Sequence, residues 1–251
     1  MVRVIMHGCN GKMGRVITEL IASDLEVEIV AGVDVYTQQA QSFPVYEDIS
    51  QCKVEADVII DFAAAGAVDG LLDYAVNHQV PCVLCTTGLS EEQLQKVELA
   101  SKSVAILKSA NMSLGINMLL KLLKEATHTL QPAGYDIEIV EKHHNLKVDA
   151  PSGTALAMAD VIKEEIKEPY EYVYDRSQVR QPREKMEIGI SAIRGGTIVG
   201  EHDVIFAGVD EVITFSHTAY SKAVFGKGAI QAAKFLSGKE AGFYDMSHVI
   251  G

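Results

Sequence analysis

The sequence predicts an α/β protein of two domains: a first domain built on a parallel sheet, and a second α+β domain with a mainly antiparallel sheet. Up to residue 112, short apolar runs alternate with helical patterns, which is typical of βαβ units. Beyond Asn111, strand-like runs follow one another with few helices between them. We therefore expect a first domain over 1–112, completed by 222–251, and a second domain over 113–221. The 251 residues, 48% of them hydrophobic, suffice for two cores.

The strands of the first domain are apolar almost throughout, as expected of strands covered on both faces. Strands are predicted over 2–6, 27–33, 57–62, 81–85 and 104–107. Apolar residues at helical spacing predict helices over 13–23 and 67–78. Ser90 and Gln93 match a capping box, which predicts a helix from there to about 101.

The second domain begins with a long amphipathic helix, predicted over 113–130. Strands are predicted over 135–140, 187–193, 197–199, 204–207 and 211–218. One helix, over 154–167, interrupts them, and it should end there because Glu168 precedes Pro169. A last helix, over 222–236, is expected to return to the first domain.

The charge balance argues against a nucleic-acid partner. Lys and Arg number 22 and Asp and Glu number 34, so the net charge is −12, and no basic cluster interrupts this balance. The apolar run at the N-terminus is too short for a secretory signal, and no stretch approaches the roughly 18 apolar residues of a membrane span. We therefore expect a cytoplasmic protein with no membrane partner.

The first predicted strand leads directly into a glycine-rich turn, Gly8-Cys9-Asn10-Gly11-Lys12-Met13-Gly14, and then into a helix. Glycine lets a backbone approach a pyrophosphate, and a helix N-terminus supplies N–H donors. Asp34 follows at the end of the second strand, where an acid accepts hydrogen bonds from a ribose. This arrangement predicts a Rossmann-like dinucleotide-binding domain. An acid there repels a 2′-phosphate and favours NADH over NADPH, while Lys12 and Arg15 leave both cofactors usable.

The segment 141–155 concentrates groups that transfer protons or bind anions. His143 and His144 can exchange a proton near neutral pH, and Lys147 is an ammonium donor. Ser152, Gly153 and Thr154 stand at a predicted helix start, where a carboxylate binds well. The segment therefore predicts a local anion site in an acidic protein.

A metal site is not expected. Adjacent histidines on an extended chain diverge, and no H-E-x-x-H pattern is present. Cys82 and Cys85 match C-x-x-C spacing, but residues three apart on a buried strand point to opposite faces, and no second pair completes four ligands.

Five segments together resemble the family of 4-hydroxy-tetrahydrodipicolinate reductase, formerly called dihydrodipicolinate reductase, of the diaminopimelate route to lysine. The likeness spans the whole chain, and the histidine segment is its most specific part. The segments are 8–14, 85–88, 109–117, 143–155, and 193–196 followed by 200–202.

The resemblance implies a homotetrameric reductase that transfers a hydride from NAD(P)H to a cyclic dicarboxylate, with loss of water. By this likeness His143 is the acid/base residue and Lys147 the proton donor. His144 contacts the substrate, and Gly153 and Thr154 hold one of its carboxylates. The residues expected to contact the cofactor are Gly8, Cys9, Asn10, Gly11, Lys12, Met13, Asp34, Cys85, Thr86, Thr87, Ser109, Ala110, Asn111 and Met112.

Two other functions use a dinucleotide domain. A semialdehyde dehydrogenase needs a thiolate beside a histidine, but all four cysteines precede the second domain. An NAD(H)-sensing regulator needs an effector module such as a basic helix, and none is visible in the sequence.

Overall fold

The computed structural model describes residues 1–39 and 41–251. In chain order its elements are β1 (Val2–His7), α1 (Lys12–Ile21), β2 (Val27–Val33), β3 (Val45–Tyr46), β4 (Val58–Asp61), α2 (Val68–His78), β5 (Cys82–Leu84), α3 (Glu91–Ser101), β6 (Ala105–Leu107), α4 (Leu114–Leu130), β7 (Asp136–His143), α5 (Gly153–Glu164), β8 (Glu171–Tyr174), β9 (Glu187–Arg194), β10 (Gly200–Ala207), β11 (Val212–Ala219), α6 (Ala223–Leu236), β12 (Gly242–Tyr244) and α7 (Met246–Ile250).

The chain divides into two compact units. The first consists of Met1–Leu114 and Ala223–Gly251, and the second of Gly115–Lys222. Each unit contains its own sheet, so the α/β fold class predicted from the sequence is confirmed.

The sheet of the first unit has the strand order β12-β6-β5-β4-β1-β2-β3, and every pairing in it is parallel. Helices cover both faces: α1 and α6 pack on one, and α2 and α3 on the other. The side chains of β1 show why the strands are apolar throughout. Val4 and Met6 enter the first core and Ile5 enters the second, and all three are fully buried.

This strand order determines where the first unit can bind a ligand. From β1 the chain builds β2 and β3 on one side, and then β4, β5 and β6 on the other. The carboxyl ends of parallel strands meet at one edge, and ligands bind there at the point where the order reverses. The ends of β1, β2, β4, β5 and β6 therefore share one edge, and the residues expected to contact the cofactor lie at or just after these strand ends.

The sheet of the second unit has the order β11-β10-β7-β9-β8. The pairings of β10 with β7 and β11 are antiparallel, as predicted. The pairings of β9 with β7 and β8 are parallel, so the sheet is mixed. The parallel half arises because α5 forms a crossover after β7, which returns the chain in the same direction. Helices α4 and α5 cover one face of this sheet.

The prediction of a strand over 197–199 is wrong, because these residues lie in the turn and loop between β9 and β10. Strands β9 and β10 flank β7, so the chain between them must cross the end of β7 instead of pairing with a neighbour. The crossing is tied to that end: Gly195 N–H donates to the His143 carbonyl at 2.9 Å, and Asn145 N–H donates to the Gly196 carbonyl at 3.2 Å.

Four short elements, β3, β8, β12 and α7, were not predicted from the sequence, because they have little pattern of their own. Within the part of the chain that the structure describes, no helix has both the length and the apolar character needed to cross a membrane.

Candidate active site

A cavity of about 800 Å³ lies at the carboxyl edge of the first sheet. The glycine turn and the end of β2 form part of its wall. Five residues expected to contact the cofactor line it: Gly8, Asn10, Gly11, Lys12 and Asp34.

The glycines of the turn are required by close backbone contacts. Gly8 has a φ of +80°, and a Cβ there would lie 2.8 Å from the carbonyl carbon of Phe62. A Cβ on Gly14 would lie 2.1 Å from the Gly8 carbonyl oxygen. The turn therefore folds tightly against the start of α1 and leaves its backbone open to the cavity, which fits a dinucleotide pyrophosphate.

Asp34 fastens the end of β2 to this turn. Its carboxylate accepts the Asn10 N–H at 2.9 Å and the Tyr36 N–H at 3.0 Å. Asn10 in turn donates from its side chain to the Tyr36 carbonyl. Each carboxylate oxygen keeps a second lone pair, so Asp34 can also accept hydrogen bonds from ribose hydroxyls.

A buried polar network that no local sequence pattern indicates joins three strand ends at this edge. Asp61 at the end of β4 is fully buried and contacts His7 Nδ1, at the end of β1, at 2.7 Å. The Thr86 hydroxyl, just after β5, lies 2.6 Å from the other Asp61 oxygen and 2.9 Å from the Ala63 carbonyl. Of the three, only Thr86 was expected to contact the cofactor, and its hydroxyl is committed to this network.

The other residues expected to contact the cofactor follow β5 and β6. Cys85 is half-buried and Thr87 is exposed. The segment 109–112 follows β6; within it the Asn111 side chain accepts the Ser113 N–H at 2.9 Å, and Met112 packs in the core. Strand order brings all of these to the same edge, although they are far apart in sequence.

Three thiols of the first unit, those of Cys9, Cys82 and Cys85, are poor nucleophiles. Burial raises the pKa of Cys9 to about 11, and the Asp34 charge adds to this. The Cys9 side chain belongs to the core, so only its backbone belongs to the turn. Burial also raises the pKa values of Cys82 and Cys85 well above the ordinary value. These thiols stay protonated at neutral pH, which argues against the thiolate of a semialdehyde dehydrogenase.

In the second unit, the covered face of the sheet changes from apolar to polar along β7. Ile137 and Ile139 belong to apolar rows that pack under α4 and α5. The next row along the sheet holds Glu141 on β7, His202 on β10 and His217 on β11, which are paired across the strands. His143 lies one row further, at the end of β7.

Glu141 is the centre of this polar group. It is fully buried. Its Oε2 lies 2.7 Å from His143 Nδ1 and accepts an Arg194 N–H at 2.7 Å. Its Oε1 accepts the Ser152 N–H at 2.9 Å and a second Arg194 N–H at 2.7 Å. Burial alone would raise the pKa of Glu141, but these bonds outweigh it and hold the pKa below its usual value.

His202 completes the group from β10. Its Nε2 lies 3.0 Å from the hydroxyl of Ser152, the residue that caps α5. Its ring packs edge-on against the His143 ring, with centroids 5.1 Å apart. Burial, reinforced by His143, lowers the pKa of His202 to about 4, so the ring is neutral at physiological pH.

The other residues predicted for the substrate lie in the loop after β7 and at the start of α5. Lys147 Nζ contacts the Asp149 carboxylate at 2.8 Å. Lys147, with help from the Gly153 N–H, lowers the pKa of Asp149. Gly153 is exposed at the first turn of α5, Thr154 follows it, and His144 is half-buried.

Glu141, Arg194 and His202 were not predicted as members of this group, whereas Ser152 was predicted to help bind a carboxylate and here binds that of Glu141. A signal was present for one of them: Glu141 is a charged residue at a position where the alternation of β7 predicts an inward-facing side chain. Its partner Arg194 is 53 residues away, and nothing local indicates their pairing. Among the described residues, no group of three or more His, Cys, Asp or Glu is arranged to hold a metal ion.

Family comparisons cover both units. The model of "dihydrodipicolinate reductase, N-terminus" matches residues 2–112, and that of "dihydrodipicolinate reductase, C-terminus" matches residues 115–250. The 4-hydroxy-tetrahydrodipicolinate reductase of Caldanaerobacter subterraneus subsp. tengcongensis is 56% identical over 250 residues, which cover 100% of this chain and 98% of the relative. That of Clostridium tetani is 51% identical over 246 residues, covering 98% of this chain and 96% of the relative.

Among solved structures, a dipicolinate-bound dihydrodipicolinate reductase from Paenisporosarcina sp. TG-14 has the same fold. Its TM-score is 0.85 at 22% sequence identity, with 100% of both chains covered. The chain therefore belongs to the dihydrodipicolinate reductase family, the NAD(P)H-dependent oxidoreductases that reduce 4-hydroxy-tetrahydrodipicolinate in the diaminopimelate route to lysine.

Proposed function

We propose that the polar group of the second unit carries out the proton chemistry of this reduction, with His143 as the acid/base residue and Lys147 as the proton donor. The observation behind this proposal is the contact of buried Glu141 with His143 Nδ1, which leaves Nε2 for exchange with a substrate. One hydride and one proton are added to the substrate and one water leaves. The centre that becomes basic as hydride arrives needs that proton.

The substrate carboxylates are assigned to the loop after β7 and the start of α5. Lys147 and the Gly153 N–H already stabilise the Asp149 carboxylate, so the same donors suit a carboxylate of the substrate. His144 and Thr154 complete this set of proposed substrate contacts. A ligand with two carboxylates, such as the dipicolinate bound to the Paenisporosarcina enzyme, has the chemistry that these groups recognise.

The cofactor is assigned to the cavity at the edge of the first sheet. The nicotinamide, when bound, supplies the hydride. Residues 8–13, Asp34, 85–87 and 109–112 bind and orient the dinucleotide. NADH is the favoured form, because Asp34 accepts ribose hydroxyls but repels a 2′-phosphate. Lys12 and Arg15 line the same cavity and keep NADPH usable.

A homotetramer is proposed to form through the second sheet. Its outer face carries exposed apolar side chains, Ile193 at 48% and Val212 at 63% exposure. The same face carries Lys142, which pairs with Glu201 at 3.0 Å and Asp203 at 3.3 Å. Light scattering on the full chain tests this: a mass of one chain would contradict the proposal. We place the reaction in the cytoplasm, where NAD(P)H is available.

The deciding assay follows the loss of NADH, and separately of NADPH, absorbance when the protein meets substrate made freshly by dihydrodipicolinate synthase. We expect rapid oxidation that depends on this substrate, with a higher kcat/KM for NADH. Oxidation that is absent with both cofactors, in a folded protein that binds them, would contradict the proposed site. A higher kcat/KM for NADPH would contradict only the role given to Asp34.

A further inference from the structure

Arg194 compensates the charge of the buried Glu141 carboxylate, which contacts the proposed acid/base residue His143. A fully buried carboxylate is tolerated only when its charge is compensated and its lone pairs are used. Glu141 meets both conditions with four donors, two of them from the Arg194 guanidinium at 2.7 Å each. Bidentate pairing of this kind is the strongest hydrogen-bonded form that these two side chains adopt.

The charge state of Glu141 determines which ring nitrogen of His143 carries the proton. The bonds from Arg194, His143 and the Ser152 N–H lower the pKa of Glu141 despite its burial, so the carboxylate is ionised at neutral pH. An ionised carboxylate only accepts hydrogen bonds. His143 must therefore donate from Nδ1 over the 2.7 Å contact, which leaves Nε2 as the site that gains and loses a proton.

Arg194 determines how strongly the Glu141 charge stabilises a proton on Nε2 of His143, in addition to the one on Nδ1. A lone buried carboxylate beside an imidazole favours the charged ring and would hold the proton on it. The Arg194 guanidinium cancels this charge on the same carboxylate oxygens. His202 on β10 is neutral, and the further charged or titratable groups that act on it are His217 on β11 and Lys147 in the loop after β7. The Asp149 carboxylate in the same loop acts on Arg194 and pairs with Lys147. Arg194 is thus the compensating charge bonded directly to Glu141.

Space around Nε2 is preserved by the residue on the neighbouring strand. A Cβ on Gly200 of β10 would lie 3.1 Å from His143 Nε2. A glycine at this position leaves that nitrogen uncovered.

We propose that Glu141 and Arg194 are positioning residues, a net-neutral pair that fixes His143 with its proton on Nδ1 and leaves Nε2 able both to take and to give a proton. This rests on the proposed role of His143 as the acid/base residue. Glu141 supplies the orientation. Arg194 prevents that orientation from trapping the ring in its charged form.

The first test reads the tautomer directly, independently of activity. Protein labelled with ¹⁵N at histidine is compared with its Glu141→Gln variant, with His143→Asn used to assign the signal. We expect the wild-type neutral ring to be protonated on Nδ1, and the variant to show a mixture of both tautomers. A wild-type ring protonated on Nε2 would overturn the proposal, even if the reductase assay succeeds.

A matched control uses the other carboxylate–histidine contact of this unit. Glu165 lies 2.9 Å from His128 Nε2, and His128 is 57% exposed. Glu165→Gln makes the same chemical change away from the site, so we expect an unchanged His143 spectrum and unchanged kcat. If both variants changed the His143 spectrum or kcat equally, the effect would not be specific to Glu141 and the proposal would fail.

The second test uses the opposite charges of the pair. We expect Glu141→Gln to lower kcat about 10²-fold with little change in KM. The part of the pH–rate profile that reports protonation of His143, called its His143 limb below, should shift to lower pH. Arg194→Met removes the cation and should shift the His143 limb to higher pH. Arg194→Lys keeps a cation and should leave the limb close to its wild-type pH. Shifts in the same direction would indicate mere structural damage and overturn the proposal.

A double variant keeps the test decisive if a single variant fails to fold. Glu141→Gln combined with Arg194→Met buries no unpaired charge. We expect it to return the limb of the pH profile close to the wild-type position while kcat stays low, because neutrality is restored but orientation is not. Wild-type kcat in this folded double variant would overturn the proposal.

Discussion

The proposed acid/base residue is held by its neighbours on three strands and at the start of one helix. Glu141, Arg194 and His202 contact its ring or share its partners, and Ser152 ties α5 to the same carboxylate. A side chain held this way keeps one orientation through a reaction, which is what proton transfer over a hydrogen-bond distance requires. The chemistry therefore depends on individual atoms of this group.

Removing either proton-transfer side chain tests this dependence. We expect His143→Ala and Lys147→Ala each to lower turnover by roughly 10²-fold or more, because proton transfer to the substrate is lost. Cofactor affinity should change little, since the cofactor residues belong to the first unit. Steady-state kinetics and NADH titration measure the two effects separately. Wild-type turnover in both variants would contradict the assignment.

A smaller change at Gly200 should affect the same atom without removing it. The Cβ of Gly200→Ala would stand 3.1 Å from His143 Nε2, closer than side chains ordinarily approach. The ring must shift by a few tenths of an ångström, so we expect kcat to fall about tenfold while the melting temperature changes little. A melting temperature that falls together with kcat would point to a folding defect instead.

At Asp34 the charge is expected to select the cofactor. Asp34→Ala removes the acceptor for ribose hydroxyls and also the charge that repels a 2′-phosphate. We expect the KM for NADH to rise more than the KM for NADPH, measured with the same substrate preparation. An equal rise in KM for both cofactors would mean that Asp34 affects binding only by accepting hydrogen bonds from the Asn10 and Tyr36 N–H groups, which hold the turn in place.

At the scale of elements, local signals predict the helices and the longer strands. The capping box of α3 is present in full, with Ser90 and Gln93 bonded to each other's backbone. The short strands β3 and β12 lie at the two edges of the first sheet and have no such signal, because their pairing depends on the neighbouring strand. The segment 197–199 has strand-forming residues but crosses the end of β7, a constraint that only the sheet order reveals.

The candidate site follows the same rule. Its glycine turn and histidine segment could be predicted, because their residues are neighbours in sequence. The pairing of Glu141 with Arg194 and of His7 with Asp61 could not, because strand order alone brings these partners together.

The network at the ends of β1, β4 and β5 offers a test at this scale. Thr86→Val keeps the shape of the side chain but leaves the fully buried Asp61 without its hydroxyl donor. We expect a loss of about 1–3 kcal/mol in the free energy of unfolding, measured with urea, because a buried acceptor loses its partner. The glycine turn packs on the adjoining backbone, so NADH affinity should fall as well. Thr86→Ser, which keeps the hydroxyl, should retain most of both.

For the whole molecule, pH connects the site to stability. The folded protein keeps His202 neutral until about pH 4, whereas the unfolded chain binds a proton there near the ordinary value of 6.5. Between these values the unfolded state binds more protons, so the free energy of unfolding falls as the pH drops. The lowered pKa of His217, caused by burial, acts in the same direction. The pKa of Glu141 is lowered from its ordinary value of 4.5, so the free energy of unfolding continues to fall as the pH drops below that value.

The contribution of His202 is fully present above pH 6.5 and is lost progressively down to about pH 4, a total of up to about 3 kcal/mol. Urea unfolding at fixed protein concentration, at pH 7.5 and at pH 5, should therefore show lower stability at pH 5. His202→Gln keeps a polar group beside Ser152 but does not titrate, so the difference between the two pH values should shrink. If His202→Gln loses as much stability as wild type, the acid sensitivity arises elsewhere and His202 is not kept neutral by the fold.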